Sequence, residues 1–191
     1  MPEVFQTKGL VYRGALDFYA TRVPGGVGAV RGALHESSVA TFFDQAFVPG
    51  AWYDVRPIVA ISRAAAQACV INHAQLVREN AAWVARRDIH GVYKFLLRLA
   101  SPEAVALRLA RASMQYFDFG KAESHMEGPK QCIAVQSGLP DALASWFAWA
   151  AEGFAPVALA AAGAKHVVAE TKVHYAPPPT HASVRLVLRW Q

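Results

Sequence analysis

The chain has 191 residues, of which 54% are hydrophobic and only 17% are charged. This composition excludes an intrinsically disordered chain, and the length suffices for one domain with a sizeable core. The net charge of +5 comes from scattered Lys and Arg residues, with Arg86 and Arg87 as the densest pair, so no nucleic-acid partner is expected.

Residues 1–114 are predicted to form helices, because apolar residues recur at spacings of three and four. Breakers such as Pro24 and Pro49 separate these runs, and each of them is followed by glycine. The predicted helices cover about 8–22, 27–34, 39–47, 58–69, 73–87, 89–97 and 102–112.

Three positions carry signals for the start of a helix. Ser101 and Pro102 give the clearest one, with Ser101 as the N-cap and Pro102 at the first helical position. We interpret Asp54 as the N-cap of the helix whose first turn contains Pro57. Asp88 is interpreted in the same way as the cap of a later helix.

Residues 115–191 are predicted to form a strand hairpin, one long helix that begins at Pro140, and a second hairpin. The fold class is therefore α+β, with a helical part (1–114) packed on a C-terminal antiparallel sheet of about four strands, all in a single domain. The four predicted strands cover about 115–119, 131–137, 167–175 and 181–190.

The long helix carries an apolar stripe in which Trp146 and Phe147 are prominent. We expect both residues to be core residues against the sheet. The Ala-rich stretch 142–164 contains Gly153 and Pro156, which predicts a core helix that breaks and restarts rather than a membrane span.

The two cysteines, Cys69 and Cys132, form no CxxC motif. No secretory signal and no uninterrupted apolar run of membrane-spanning length is found. A cytoplasmic location is therefore expected, where cysteines remain reduced.

Matching the apolar faces of the last two strands predicts their register, because alternate residues of a strand share a face. The loop between them contains Pro177, Pro178 and Pro179, whose missing N–H groups do no harm there. The predicted pairs are Val173 with Ala182, Thr171 with Val184, Ala169 with Leu186, Glu170 with Arg185, and His174 with His181.

This register brings His174, His181 and Glu170 to one face of the sheet. Two imidazoles and a carboxylate are suitable ligands for zinc. The alternative is that Glu170 only forms a surface ion pair with Arg185, and both interpretations stay open at this point.

Three further histidines, His73, His90 and His125, stand alone in the sequence. A haem ligand requires a histidine on a helix in an apolar pocket, and His90, just before Gly91 and Tyr93, is the best placed. A hydrogen-bonded or exposed side chain is the alternative for each of them. No GxSxG, HExxH, P-loop or GxGxxG motif is found, so no catalytic residue is predicted and an enzyme is not expected.

The order of helices, hairpin, helix and hairpin resembles a superfamily that includes vinyl-reductase-type small-molecule sensor domains, haem nitric-oxide-binding (H-NOX-like) domains and TRAPP vesicle-tethering subunits. Several phrases also resemble an uncharacterised family of proteins of similar length known chiefly from myxobacteria. These phrases are Phe47-Val48-Pro49 with Trp52-Tyr53-Asp54, the stretch from Asp88 to Tyr93, Ser101-Pro102-Glu103 and Phe117-Asp118-Phe119-Gly120.

The resemblance bears on both metals and haem. In the vinyl-reductase-type sensors a structural zinc is held partly by a Glu and by Cys three and eleven residues beyond it. The corresponding residues here are Glu170, Val173 and His181, so both cysteines are replaced. The H-NOX family's haem-propionate motif, Tyr-x-Ser-x-Arg, is absent from the sequence, so we expect no haem and treat zinc only as an alternative.

The resemblance implies a non-enzymatic sensor or small-molecule-binding domain. Its apolar ligand would lie between the helices and the sheet, lined by Phe117, Phe119, Trp146 and Phe147. The alternative is a protein–protein interaction module that acts as a homodimer through its N-terminal helices, since three apolar stripes need more burial than one sheet face supplies. These stripes are Val39/Phe42/Phe43/Phe47, Ile58/Ile61/Ala65 and Tyr93/Leu96/Leu97.

Overall fold

The computed structural model describes residues 4–89, 100–176 and 181–191. Within them the chain is α+β, with a helical N-terminal part and a C-terminal antiparallel sheet, as the sequence predicts. The helices are α1 (Gly9–Arg22), α2 (Gly26–Gly32), α3 (Ser37–Phe43), α4 (Pro57–Cys69), α5 (His73–Ile89), α6 (Pro102–Ser113) and α7 (Asp141–Ala161). The strands are β1 (Gln6–Lys8), β2 (Trp52–Asp54), β3 (Lys121–Gly128), β4 (Gln131–Pro140), β5 (Val168–His174) and β6 (His181–Arg189).

Some predictions fall outside these ranges. The predicted helix over 89–97 lies, apart from Ile89, outside the described residues. The same is true of His90 and of the loop prolines Pro177, Pro178 and Pro179.

One of the three predicted helix starts is confirmed and two are wrong. Ser101 is the N-cap of α6, and its Oγ accepts a hydrogen bond from the Ala104 N–H at 3.2 Å. Asp54 instead lies in β2, where its Oδ1 accepts the Arg56 N–H at 2.9 Å, and Arg56 occupies the cap position of α4. Asp88 lies inside α5, which ends at Ile89, and therefore does not occupy a cap position.

The predicted strand over 115–119 is also wrong, because this segment pairs with the N-terminal strand and not with the large sheet. β1 pairs with β2 in a small antiparallel sheet, and Phe117 forms an isolated bridge to Thr7 beside it. Thr7 is fully buried, and its hydroxyl donates to the Tyr116 carbonyl at 2.9 Å. The large sheet therefore begins only at Lys121. Strands of three residues are too short to show an alternating pattern in the sequence.

β3 to β6 form a four-stranded antiparallel sheet in the order β3-β4-β6-β5. The predicted faces of the last hairpin are correct, but the predicted pairs Val173–Ala182 and Glu170–Arg185 are wrong. The true register is displaced by two residues, and such a shift keeps each apolar face intact because side chains alternate with a period of two. The observed pairs are Ala169 with Leu188, Glu170 with Val187, Thr171 with Leu186, Val173 with Val184, and His174 with Ser183.

Helix α7 is continuous, so the predicted break near Gly153 and Pro156 is wrong. Proline inside a helix costs about 3 kcal/mol, and here the packing of α7 on α5 and on the sheet offsets it. Among the described helices, only α7 is long and apolar enough to cross a membrane. Half of its most apolar stretch is buried within the protein, which is typical of a core helix.

Helices α5 and α7 cross at Gly153. A Cβ atom at this position would lie 2.2 Å from the Arg78 carbonyl oxygen, so only glycine allows the two backbones to come this close. Beside it, the Glu152 carboxylate accepts hydrogen bonds from Arg78 Nε at 2.6 Å and from the Thr171 N–H at 3.1 Å. This crossing therefore joins α5, α7 and β5.

The buried apolar residues form two groups. One joins helices α1 to α4 to the first half of α7, and the other joins α6 and the second half of α7 to the sheet. The homodimer was predicted because three apolar stripes needed burial, and two of these stripes are buried in the first group. Most of the argument for a homodimer is thereby removed, and the homodimer itself stays a prediction. The residues concerned are Val39, Phe43, Phe47, Ile58, Ile61 and Ala65, with Phe42 packed against them.

We expect Gly153→Ala to lower the free energy of unfolding by about 1–3 kcal/mol, because the added methyl group overpacks the contact with Arg78. Urea denaturation measures the loss. Gly28→Ala in α2 is the matched control, since a Cβ there meets nothing within 4 Å and the change should stabilise the helix by up to about 1 kcal/mol. Equal stability of the two variants would show that the backbones do not meet at Gly153.

Candidate functional site

The four aromatic residues predicted to line a ligand site come together in the structure. Phe117 and Phe119 lie just before β3, and Trp146 and Phe147 lie in the second turn of α7. Ring centroids are 4.7 Å apart between Phe117 and Phe147, 5.5 Å between Phe117 and Phe119, and 6.0 Å between Trp146 and Phe147. Each residue is only 7–8% exposed. We call these four residues the aromatic cluster.

The aromatic cluster lies where the helical part meets the sheet. Phe5, just before β1, packs edge-on against Phe119 with a centroid distance of 5.4 Å. The same buried core contains Tyr12 from α1 and Val184 from β6. The burial of Trp146 confirms its predicted core position.

The aromatic cluster offers apolar contact and ring edges, but no titratable group. Offset and edge-on aromatic pairs contribute about 0.5–1.5 kcal/mol beyond the area they bury, so the four rings stabilise one another in the structure. An arrangement of this kind suits contact with an apolar molecule and supplies no nucleophile or general base. Its ligand-binding role stays a prediction.

The proposed zinc ligands are not brought together as predicted. His174 pairs with Ser183 and not with His181, whose ring centroid lies 6.0 Å from that of Phe5. Glu170 forms an ion pair with Arg189 at 3.0 Å. The described residues contain no group of three His, Cys, Asp or Glu side chains suited to a metal ion.

A serine–histidine pair was missed by the sequence analysis. His73 Nε2 lies 2.7 Å from Ser62 Oγ, and the His73 ring packs edge-on against Trp149 with a centroid distance of 5.2 Å. Burial, with a smaller contribution from the charge of Arg63, lowers the pKa of His73. Ser62 is only 1% exposed, so its hydroxyl is out of reach of a substrate and the pair ties α4 to α5. No sequence signal links residues on two different helices in this way.

Both cysteines have raised thiol pKa values. Burial is the main cause for Cys69, with a further contribution from Glu79, and burial alone raises the pKa of Cys132. Thiols of this kind stay protonated at neutral pH, so neither is an activated nucleophile.

The sequence matches no protein-family model and no curated protein. Solved structures do match it. The oxygen complex of an oxygen-binding H-NOX domain related to soluble guanylate cyclases has a TM-score of 0.65 at 10% identity, over 96% of this chain and 92% of that chain. An H-NOX protein from S. oneidensis in the Fe(II)NO ligation state has a TM-score of 0.65 at 11% identity, over 96% and 99%. A Cs H-NOX mutant with 4-cyano-L-phenylalanine reaches a TM-score of 0.69 at 10% identity, over 96% of each chain.

The fold is H-NOX-like. This result confirms the architectural part of the resemblance found in the sequence, over 96% of the chain. At 10–11% identity the likeness shows the H-NOX-like fold alone. The relation to a myxobacterial family stays a prediction.

Two of the similar solved structures are described by haem or porphyrin distortion, one of them within the H-NOX family, so haem is the group whose fit to this chain is tested. The described residues do not fit this group, because a haem ligand needs a histidine in an apolar pocket. His73 Nε2 is hydrogen-bonded to Ser62 Oγ, and His90 lies outside the described residues. The other five histidines, which are His35, His125, His166, His174 and His181, are exposed.

We expect Trp146→Ala to lower the free energy of unfolding by about 3–5 kcal/mol, as large truncations in a core do. Trp52→Ala is the matched control, because Trp52 is 42% exposed and its loss should cost less than about 1 kcal/mol. Urea denaturation of both variants tests this. A loss below about 1 kcal/mol for Trp146→Ala would mean that the aromatic cluster is not part of the core.

Proposed function

We propose that the chain is a sensor-type domain that binds a small apolar molecule beside the aromatic cluster and has no enzymatic activity. The observation that carries this proposal is the position of the cluster in an H-NOX-like fold. Its four rings lie at the junction of the helical part and the sheet, in the core shared by both. A ligand that enters there contacts both parts and changes how they pack, which is the physical requirement for a sensor.

Three further observations support this proposal. The aromatic cluster contains no charged side chain, which favours a neutral and apolar ligand. Ser62 is buried and both thiols have raised pKa values, so none of these three side chains is an activated nucleophile. The two free cysteines agree with a location in the reducing cytoplasm.

The H-NOX domains among the similar structures are described as binding oxygen or NO. For this chain we propose a ligand other than haem, because the described histidines do not fit a haem ligand. His90 is the single histidine that lies outside the described residues, and it is therefore the residue by which haem is tested.

Native mass spectrometry and absorption spectroscopy of freshly purified protein test the proposal together. We expect the mass of the protein plus a small organic molecule and no Soret band, even after expression with added haem precursor. Phe147→Leu, which keeps an apolar side chain but removes the ring, should lower the bound fraction about tenfold or more. Trp52→Ala is the control that should bind as the wild type does.

Two results of these measurements would contradict the proposal. A Soret band that disappears in His90→Ala would replace the proposal by a haem sensor. Protein that carries no small molecule in any preparation, and binds none from a panel of apolar compounds, would contradict ligand binding altogether.

A second candidate function is a protein–protein interaction module, and an exposed aromatic surface favours it. Trp52 lies opposite Lys8 in the small sheet, with Lys8 Nζ 5.5 Å from the ring centroid. The Lys8 N–H donates to the Tyr116 carbonyl at 2.9 Å, which places Tyr116 on the other side of Lys8. Trp and Tyr are the residues most often found at the energetic centre of interfaces.

We therefore propose that a homodimer forms through this surface. Sedimentation over a hundredfold range of protein concentration measures the monomer–dimer equilibrium. Trp52→Ala should shift the equilibrium toward the monomer of 20.7 kDa by about tenfold or more. Tyr175→Ala, at another exposed aromatic residue, should leave it unchanged. A wild-type protein that stays at 20.7 kDa throughout would exclude the homodimer.

A further inference from the structure

Strand β3 forms one edge of the large sheet, and the register shows which of its backbone groups point outward. In an antiparallel sheet, successive residues of a strand direct their N–H and C=O groups alternately to either side. At the opposite edge, the Thr171 N–H points away from β6, because it donates to Glu152. One row of paired residues carries this alternation across the sheet to Ser124, whose N–H and C=O groups therefore also point outward. The row is Thr171, Leu186, Ala134 and Ser124.

Three residues of β3 share this outward direction, because the direction alternates along the strand. They are Ala122, Ser124 and Met126, and their outward backbone groups receive no hydrogen bond from the described parts of the chain. Their side chains lie on the inner face, where the Ser124 hydroxyl donates to the Leu107 carbonyl of α6 at 2.6 Å. Helix α6 thus packs on the inner face of β3, and no described strand pairs with its outer edge.

The outer face of β3 carries a row of exposed polar side chains. Their order along the strand is base, acid, imidazole and acid. Glu127 belongs to this row, because its carboxylate accepts a hydrogen bond from the Gln131 side chain of β4 on the same face. A strand that pairs with this edge has to present complementary charges in the matching order. The four residues of the row are Lys121, Glu123, His125 and Glu127.

Strand β3 is complementary to itself when two copies pair antiparallel about Ser124. Lys121 of one copy then lies opposite Glu127 of the second copy, and Glu123 lies opposite His125. Two-fold symmetry makes each of these pairs occur twice. Opposite charges that face each other across two strands stabilise the pairing, and like charges destabilise it.

The neighbouring registers lack this match. Pairing about Glu123 places that glutamate opposite its own copy, and pairing about His125 places Glu123 opposite Glu127. Pairing about Ala122 or Met126 avoids like charges but shortens the ladder, because β3 covers only Lys121–Gly128. The register about Ser124 therefore combines the full length of the strand with matched charges.

We propose that β3 is an interaction edge whose partner is β3 of a second copy of the chain, paired antiparallel about Ser124. The two large sheets then form one continuous sheet across a two-fold axis. Helix α6 packs on both β3 and β4, so the two copies of α6 lie about 10 Å apart, which is the ordinary distance between packed helices. This contact is separate from the aromatic cluster and from the Trp52 surface, and it goes beyond the functions proposed above.

An exchange of charges in a Trp52→Ala background tests the pairing, because this background removes the other proposed contact. Lys121→Glu alone places two glutamates opposite each other at both ends of the ladder, and Glu127→Lys alone places two lysines there. We expect each variant to weaken self-association by about tenfold or more, and an equimolar mixture of the two to restore it. Sedimentation over a hundredfold range of protein concentration measures both variants and the mixture.

Hydrogen exchange followed by NMR gives an independent measurement. On association, the amides of Ala122, Ser124 and Met126 should exchange about tenfold more slowly or less, since they gain partners in the second copy. The amides of Ala169 and Val173 on the opposite edge should exchange at an unchanged rate. Near-UV circular dichroism confirms beforehand that each variant is folded.

Three results would overturn this pairing. The first is a mixture of Lys121→Glu and Glu127→Lys that associates no more strongly than either variant alone. The second is association that leaves the exchange of the Ser124 amide unchanged. The third is a Trp52→Ala protein that stays monomeric at every concentration, which would leave the edge to a strand of a different protein. Because Trp52 is absent from all these samples, the outcome does not depend on whether the Trp52 surface forms a homodimer.

Discussion

The contact between Gly153 and the Arg78 carbonyl determines how the two parts of the molecule fit together. It lets α7 lie directly on α5, and α7 in turn covers the inner face of the sheet. With a larger residue at position 153 the helices would separate, and the aromatic cluster at the start of α7 would move away from the N-terminal segment. The hydrogen bonds of Glu152 to Arg78 and Thr171 add direction to this contact, because they fix the rotation of α7 relative to β5. Packing sets the distance between the helices and hydrogen bonding sets their orientation.

Much of this fold could be predicted from local patterns, and the exceptions share one physical cause. The α+β class, the Ser101 cap and the burial of Trp146 follow from periodicity and capping chemistry, which act over a few residues. The displaced register of the last hairpin does not, because two registers that differ by two residues bury the same face. The pairing of Thr7 with Phe117 joins residues more than a hundred positions apart, and no local pattern records it. The four residues of the aromatic cluster lie together, and their ligand-binding role stays a prediction. The pair of His73 and Ser62 was not predicted, because each residue lies on a separate helix.

What this protein binds depends on its side chains and not on the architecture of its fold. An H-NOX-like fold is compatible with more than one chemistry, because a fold fixes where a site lies while the side chains fix what it binds. Here the junction of the two parts is filled by aromatic rings, and the described histidines are on the surface or bonded to a neighbour. In this chain, the junction of the helices and the sheet is therefore an apolar, buried region. In the helical half, the Tyr19 hydroxyl and Asn80 Oδ1 are buried without a hydrogen-bond partner among the described residues.

The hydrogen bond from the Thr171 N–H to Glu152 has a consequence for the outer border of the sheet. β5 is an edge strand, and exposed N–H groups on an edge are a template for strands of other chains. The Glu152 carboxylate accepts a hydrogen bond from one of these N–H groups, that of Thr171 in the middle of β5. It also accepts a hydrogen bond from the Thr171 hydroxyl, which holds the carboxylate in place. A foreign strand would have to displace a charged group that Arg78 also binds. The residue that orients the core helix therefore also protects this edge against sheet extension and aggregation.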